Sequence, residues 1–151
     1  MSRAILWIHA DCLHPQQPAL AENEGSPAIF IWDESLIRRR QLSLKRIVFI
    51  YESLLDLPVT IRRGQVSDQL IYFAQENGAA RIVTTRSISP GFRGIVKALR
   101  QRGWSVDLRD QEPFVELSPA PDLRRFSRYW RQAQPHLAEY YAKHLAQDKI
   151  E

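Results

Sequence analysis

The feature that most constrains this chain is an alternation between short, wholly apolar runs and longer segments with helical periodicity. Ala4-Ile5-Leu6-Trp7-Ile8 and Pro27-Ala28-Ile29-Phe30-Ile31-Trp32 contain no polar position that a solvent-facing side would need. Successive strand side chains point to opposite faces, so a run apolar throughout needs cover on both, as in a parallel sheet clothed by helices. Pro58-Val59-Thr60-Ile61, Arg81 to Thr85 and Trp104 to Leu108, which are not wholly apolar, read as the remaining strands. Strands are therefore expected near residues 4–9, 28–32, 58–62, 81–85 and 104–108.

The segments between them read as helices. Pro18 to Glu24 forms a short one, stopped by Gly25 and Pro27. Over Ser43 to Asp56, Leu44, Ile47, Val48, Tyr51, Leu54 and Leu55 recur at helical spacing. The run Ile47-Val48-Phe49-Ile50-Tyr51 taken alone looks like strand, but the longer window decides for helix. Ser67 is the expected N-cap of a helix through Leu70, Phe73 and Ala74, closed by Asn77-Gly78. Ser89-Pro90 then reads as a cap and first turn before the apolar face Phe92, Ile95, Val96 and Leu99. Strand and helix alternating in this way predict an α/β fold. Its form is a Rossmann-like, doubly wound sheet of five parallel strands with helices on both faces, spanning residues 1–110. Pro113, Pro119 and Pro121 mark a connector over 111–121, and residues 122–151 form a helical tail. In that tail Asp122 is expected to cap one helix through Trp130, and Pro135 to begin another bearing Leu137, Tyr140, Tyr141, His144 and Leu145 on one face.

Composition narrows the function classes. At 151 residues the chain suffices for one well-buried core. A net charge of +4 is too weak a basic balance for a dedicated nucleic-acid binder, so direct nucleic-acid binding is not expected. The single cysteine, Cys12, excludes an internal disulfide framework and suits a reducing cytoplasm. No apolar run approaches membrane-spanning length, and the segment after Arg3 enters a strand without a cleavage-site pattern.

Several segments, in order, resemble one family. Trp7 to Leu20, WIHADCLHPQQPAL, matches without a gap the spacing of W-F-R-R-D-L-R-x-x-D-N-x-A-L, keeping Trp7, Asp11, Ala19 and Leu20. His9 and Ala10 replace its paired arginines, Leu13 the third, and Gln16-Gln17 its Asp-Asn. Ile29 to Asp33 resembles the same family's second strand, and Glu52-Ser53-Leu54-Leu55-Asp56-Leu57 its E-S-L-x-D-L helix. Ile61-Arg62-Arg63-Gly64 is similar to its V-R-R-G turn. Thr85 to Pro90 stands in the place of N-R-x-Y-E-P, keeping Arg86 and Pro90 without the acid. Phe126-Ser127-Arg128-Tyr129-Trp130 is similar to its F-T-P-F-W segment. From Ala4 to Trp130 the chain thus resembles the N-terminal α/β domain of the DNA photolyase and cryptochrome family. The resemblance implies a domain without catalytic residues that helps bind a light-harvesting antenna of folate or deazaflavin type. FAD, the electron-transfer tryptophans and the DNA-lesion pocket belong to a helical domain, and this chain stops where that domain would start. No FAD, and no enzymatic activity of its own, is therefore expected.

Open α/β sheets bind ligands at the carboxyl ends of their strands, which makes Asp11, Asp33, Glu34, Arg86 and Ser89 the candidate ligand-binding residues. No G-x-G-x-x-G fingerprint, P-loop or G-x-S-x-G setting occurs. His9, Cys12 and His14 offer three potential metal ligands, but a structural zinc site takes four, and a plain loop is the better reading. Arg124, Arg128 and Arg131 interleave with Phe126, Tyr129 and Trp130, which suits either a solvated amphipathic helix or an interface. Phe126, Arg128, Tyr129, Trp130, Tyr140 and Tyr141 are the candidate interface residues, for a homodimer or for a separately encoded FAD-binding photolyase-like partner. The leading expectation is a non-catalytic binding or docking module. The alternative is a small-ligand, antenna or nucleotide binder acting through the strand-end pocket.

Overall fold

The computed structural model describes residues 3–111, 113 and 117–145; of residues 138–140 and 142–145 it describes the backbone alone. Two compact units divide the chain after Gln111. The first is an all-parallel sheet of five strands, ordered β3-β2-β1-β4-β5, with helices between them. The strands are β1 (Ala4–Ile8), β2 (Ala28–Trp32), β3 (Val59–Arg63), β4 (Arg81–Thr85) and β5 (Ser105–Arg109). They agree with the sequence expectation to within a residue, and the all-parallel Rossmann-like arrangement is the one the apolar runs demanded.

Strand position explains strand composition. β1, at the centre, is buried at all five positions. Ile5 and Trp7 point into one core layer with Leu70, Phe73 and Leu99. Leu6 and Ile8 point into the other with Leu20, Ile50 and Leu54. β3 and β5 are the edges, where Thr60, Arg62, Arg63 and Asp107 are tolerated because one side meets water.

The helices of this unit are α1 (Pro18–Ala21), α2 (Glu34–Arg39), α3 (Leu44–Leu55), α4 (Val66–Glu76) and α5 (Phe92–Gln101). Ser43 caps α3, its hydroxyl accepting from Arg46 N at 3.3 Å. Three expectations need correction. Gln65, not Ser67, caps α4: Gly64, at φ +141°, turns the chain so early that Gln65 Oε1 receives Asp68 N at 2.8 Å and Ser67 is buried inside the first turn. Gly91, at φ +90°, precedes α5, because Ser89 is held in a turn by Ser87 Oγ at 2.9 Å and so cannot start the helix. The first helix closes at Ala21, short of the expected Glu24.

α2 is an element that reading the apolar periods alone does not anticipate. Its cap is Asp33, whose Oδ1 accepts from Ser35 N (2.9 Å), Ser35 Oγ (2.6 Å) and Leu36 N (3.2 Å). Oδ2 takes Val66 N at 3.3 Å, so one carboxylate starts α2 and anchors the first residue of α4. Burial pushes the Asp33 carboxyl up, but these donors together outweigh it and hold it below the usual carboxylate range. Asp33→Ala should cost about 2–3 kcal/mol, a lost cap plus an orphaned amide. A carboxyl depressed in the folded state adds stability that is complete above its ordinary pKa and disappears as pH falls through the folded value. Urea midpoints of the wild type should therefore drop below about pH 4, and those of Asp33→Asn should drop less.

The second unit begins at residue 112 and contains α6 (Phe126–Leu145). It is one helix with Pro135 inside it, where the sequence suggested two. Asp122 does not cap it; its carboxylate takes Arg124 N at 3.0 Å and Arg128 Nη1 at 2.8 Å ahead of and across the first turn. Among the described residues, no helix is long and apolar enough to cross a membrane.

Candidate functional site

From β1 the chain runs outward through β2 to β3 on one side, then crosses back from β3 to β4, on the other side of β1, and continues outward to β5. Such a switch point leaves a crevice beyond the carboxyl ends of the two strands that flank it, here β1 and β4. The loop after β1 forms one lip. It is tied to β4 by buried polar contacts: His9 Nε2 donates to Thr85 O at 2.7 Å, and Thr85 Oγ1 donates to Gln17 Oε1 at 3.1 Å. Gln17, 1% exposed, returns its amide to Cys12 O at 2.7 Å, and Ala19 N donates to Thr85 Oγ1 at 3.3 Å.

The turn after β4 forms the other lip. Ser87 Oγ donates to Asp11 Oδ2 and accepts from Ser89 N, so one hydroxyl clasps the two lips together. Between them lies an open groove of about 760 Å³, bordered by Asp11, His14, Arg46, Phe49, Arg86 and Ile88. That is the size range of small-molecule sites.

The charges in the groove are set by these contacts. Burial raises the Asp11 carboxyl, but hydrogen bonds from the Ser87 and Ser89 side chains, with the nearby Arg40 charge, more than offset this and hold it below the usual carboxylate range. Burial lowers His9 despite its bond to the Thr85 carbonyl and the nearby Asp11 charge, leaving a neutral imidazole with its proton on Nε2, the nitrogen that faces that carbonyl. Burial raises the Cys12 thiol, which is therefore no thiolate nucleophile. Ser87 bonds a carboxylate and not an imidazole, so the serine-histidine couple of acyl transfer is not built here. What the groove presents is one fixed negative charge, at Asp11, two cations, Arg46 and Arg86, and the apolar side chains Phe49 and Ile88.

Of the sequence-proposed residues, Asp11, Arg86 and Ser89 come together in this groove. Asp33 does not: β2 lies on the far side of β1, and its carboxylate is taken up by the caps of α2 and α4. Asp33 and Asp11 instead both border a separate apolar cavity of about 80 Å³ beneath Arg40, whose Nη2 donates to Pro90 O at 2.7 Å. That space holds a few waters and no ring system. Glu34 borders neither and is paired with Arg63 and Arg38 on the surface.

Arg86 is already matched. Its guanidinium makes a two-pronged pair with Asp110, with one contact at 3.4 Å. Periodicity cannot reveal this, but pairing can: the register Thr85↔Arg109 between β4 and β5, carried one step further, sets Arg86 beside Asp110. Arg46 was also missed. It reaches from α3 to Ala10 O at 3.4 Å with its guanidinium 5.2 Å over the Phe49 ring, and has no carboxylate partner among the described residues. Its signal in the sequence is its place three residues before Phe49 on a helix that passes the strand ends.

His9, Cys12 and His14 diverge. His9 turns to Thr85, while Cys12 Sγ lies 3.8 Å from His14 Nε2, and no group of three metal-ligating side chains is found among the described residues. In the second unit, Phe126 stacks on Trp130 at 6.0 Å between ring centroids and lies 6.3 Å from Tyr129. Arg128 is paired with Asp122. Tyr141 lies on the same helix, and the Tyr140 side chain falls outside the described residues. The chain matches no protein-family model and no curated protein.

Proposed function

We propose that this chain is a non-catalytic binding module, related to the N-terminal α/β domain of photolyases and cryptochromes, that holds a planar anionic ligand in the switch-point groove. The observation that carries the reading is the groove itself. Asp11 accepts from ring N–H groups, Phe49 and Ile88 flank a ring, and Arg46 and Arg86 receive an anionic tail. Folates and deazaflavins of the antenna type have this chemistry, and the family resemblance of the segments around Asp11 and Arg86 supports the same class. The small cavity beneath Arg40 is excluded as the site by its volume.

The test is titration of the purified protein with a folate and with a deazaflavin, followed by absorbance, together with native mass spectrometry of protein isolated from its own host. Arg46→Ala or Arg86→Ala should weaken binding by about 1–3 kcal/mol, the value of a charge-assisted hydrogen bond. Asp110→Asn should tighten it, because Asp110 competes for Arg86. Binding that ignores all three substitutions, or no binding of either compound, would remove this reading. A second reading has a specific observation behind it: the Phe126, Tyr129 and Trp130 ring cluster suits docking onto a separately encoded FAD-binding photolyase-like protein. The same native spectra would carry that partner's mass.

A further inference from the structure

α3 turns an apolar stripe away from the core. Ile50 and Leu54 are buried beneath the helix, but Leu44 is 75% exposed, Val48 44%, Tyr51 50% and Leu55 64%. Single exposed apolar residues are ordinary on a surface; four in one helical row, continued by Trp32 and Ile37 in a depression beside the helix and separate from the switch-point groove, are not. The row has intervals of four, three and four residues, so it reads the same in either direction. Lys45 and Glu52 lie seven residues apart along one flank of the row. Both are exposed, and neither makes an ion pair among the described residues.

We propose that this face is the interface of a two-fold homodimer in which α3 packs antiparallel to α3 of a second copy. This does not rest on the ligand-binding reading. A dyad passing between Val48 and Tyr51 sets Leu44 against Leu55 and the small Val48 against the large Tyr51, twice over. It also brings Lys45 opposite Glu52 on the outer flank, again twice, which is the self-complementarity that an isologous contact requires. A parallel pair would oppose Tyr51 to Tyr51 and leave both charges without partners, and it would align the helix dipoles unfavourably. The occupant is thus a second copy of this chain, selected by the order of charges along its own helix.

Sedimentation of the full chain over a concentration series tests this. The wild type should be a dimer. Lys45→Glu or Glu52→Lys alone sets like charges opposite each other and should raise the dissociation constant by about tenfold or more. The double variant Lys45→Glu/Glu52→Lys should restore the dimer, and so should an equimolar mixture of the two single variants, because each then meets its opposite. All four positions of the row and both charges are exposed, so circular dichroism should be unchanged throughout. A monomeric wild type would overturn the proposal. So would a dimer indifferent to both single variants, or single variants that neither the double nor the mixture rescues; those last results would assign the face to a different partner.

Discussion

Trp7→Ala should lower the folding free energy by about 3–5 kcal/mol, the range seen when a large aromatic is truncated in a packed core. Trp7 is 4% exposed on the central strand. Its ring stacks on Phe92 with centroids 5.2 Å apart and 16° between planes, and meets His9 edge-on at 5.7 Å. The substitution therefore removes more than area. It takes away the contact by which β1 seats the start of α5, and it opens the wall of the cavity beneath Arg40. Against a total stability of about 5–15 kcal/mol for a domain of this kind, the loss is a large fraction. Urea unfolding followed by circular dichroism should show a midpoint shifted far down with an unchanged slope. A shift equivalent to less than about 1 kcal/mol would mean that the stack contributes little beyond what a smaller side chain supplies.

The second large effect should come from a change that preserves shape. Thr85→Val keeps the β-branched volume at the end of β4 but deletes the hydroxyl that donates to Gln17 Oε1 and accepts from Ala19 N. Thr85 is fully buried and Gln17 nearly so, so neither orphaned group can turn to water. Each unsatisfied buried group costs about 1–3 kcal/mol, which gives roughly 2–6 kcal/mol for the two. The loss should also be local in its consequences. The loop after β1 is held to β4 through this network, so amide exchange at residues 9–17 should quicken more than in the strands. Any ligand bound in the groove should weaken with it. Uniform destabilisation without faster exchange in that loop would show that the network serves the core and not the lip of the groove.

His9 adds a pH dependence of its own. Burial depresses its folded pKa, so the unfolded chain binds a proton more readily. Stability contributed by the neutral ring is complete above about pH 6.5, the ordinary histidine value, and diminishes as pH falls below it. The acid response of this fold should therefore begin well above the range where Asp33 and Asp11 titrate.

Much of the architecture is written locally. Runs such as Ala4–Ile8 and Ala28–Trp32 are apolar on both faces, and only a strand covered on both sides satisfies them, so the sheet and its five strands are legible from periodicity. The same holds for α3, because a twelve-residue helical period outlasts the β-like run inside it. What the sequence alone leaves open are choices between neighbours that compete for one role. Ser67 and Gln65 are both able to cap α4, and Gly64 decides between them by its backbone angle. Ser89 resembles a cap until Ser87 captures its amide. Asp33 looks like a free carboxylate at a strand end, yet it becomes a cap when α2 and α4 both start beside it. Arg86 looks like a free anion receptor until the pairing of β4 with β5 delivers Asp110. Periodicity likewise shows that α3 is amphipathic without showing which of its apolar rows meets the sheet: Ile50 and Leu54 do, and Leu44, Val48, Tyr51 and Leu55 do not. Periodicity reads only the repeat of apolar residues; the choices at Gly64 and Ser87 turn on a local backbone angle or turn, and the fates of Asp33 and Arg86 on partners dozens of positions away that only the folded sheet brings within reach.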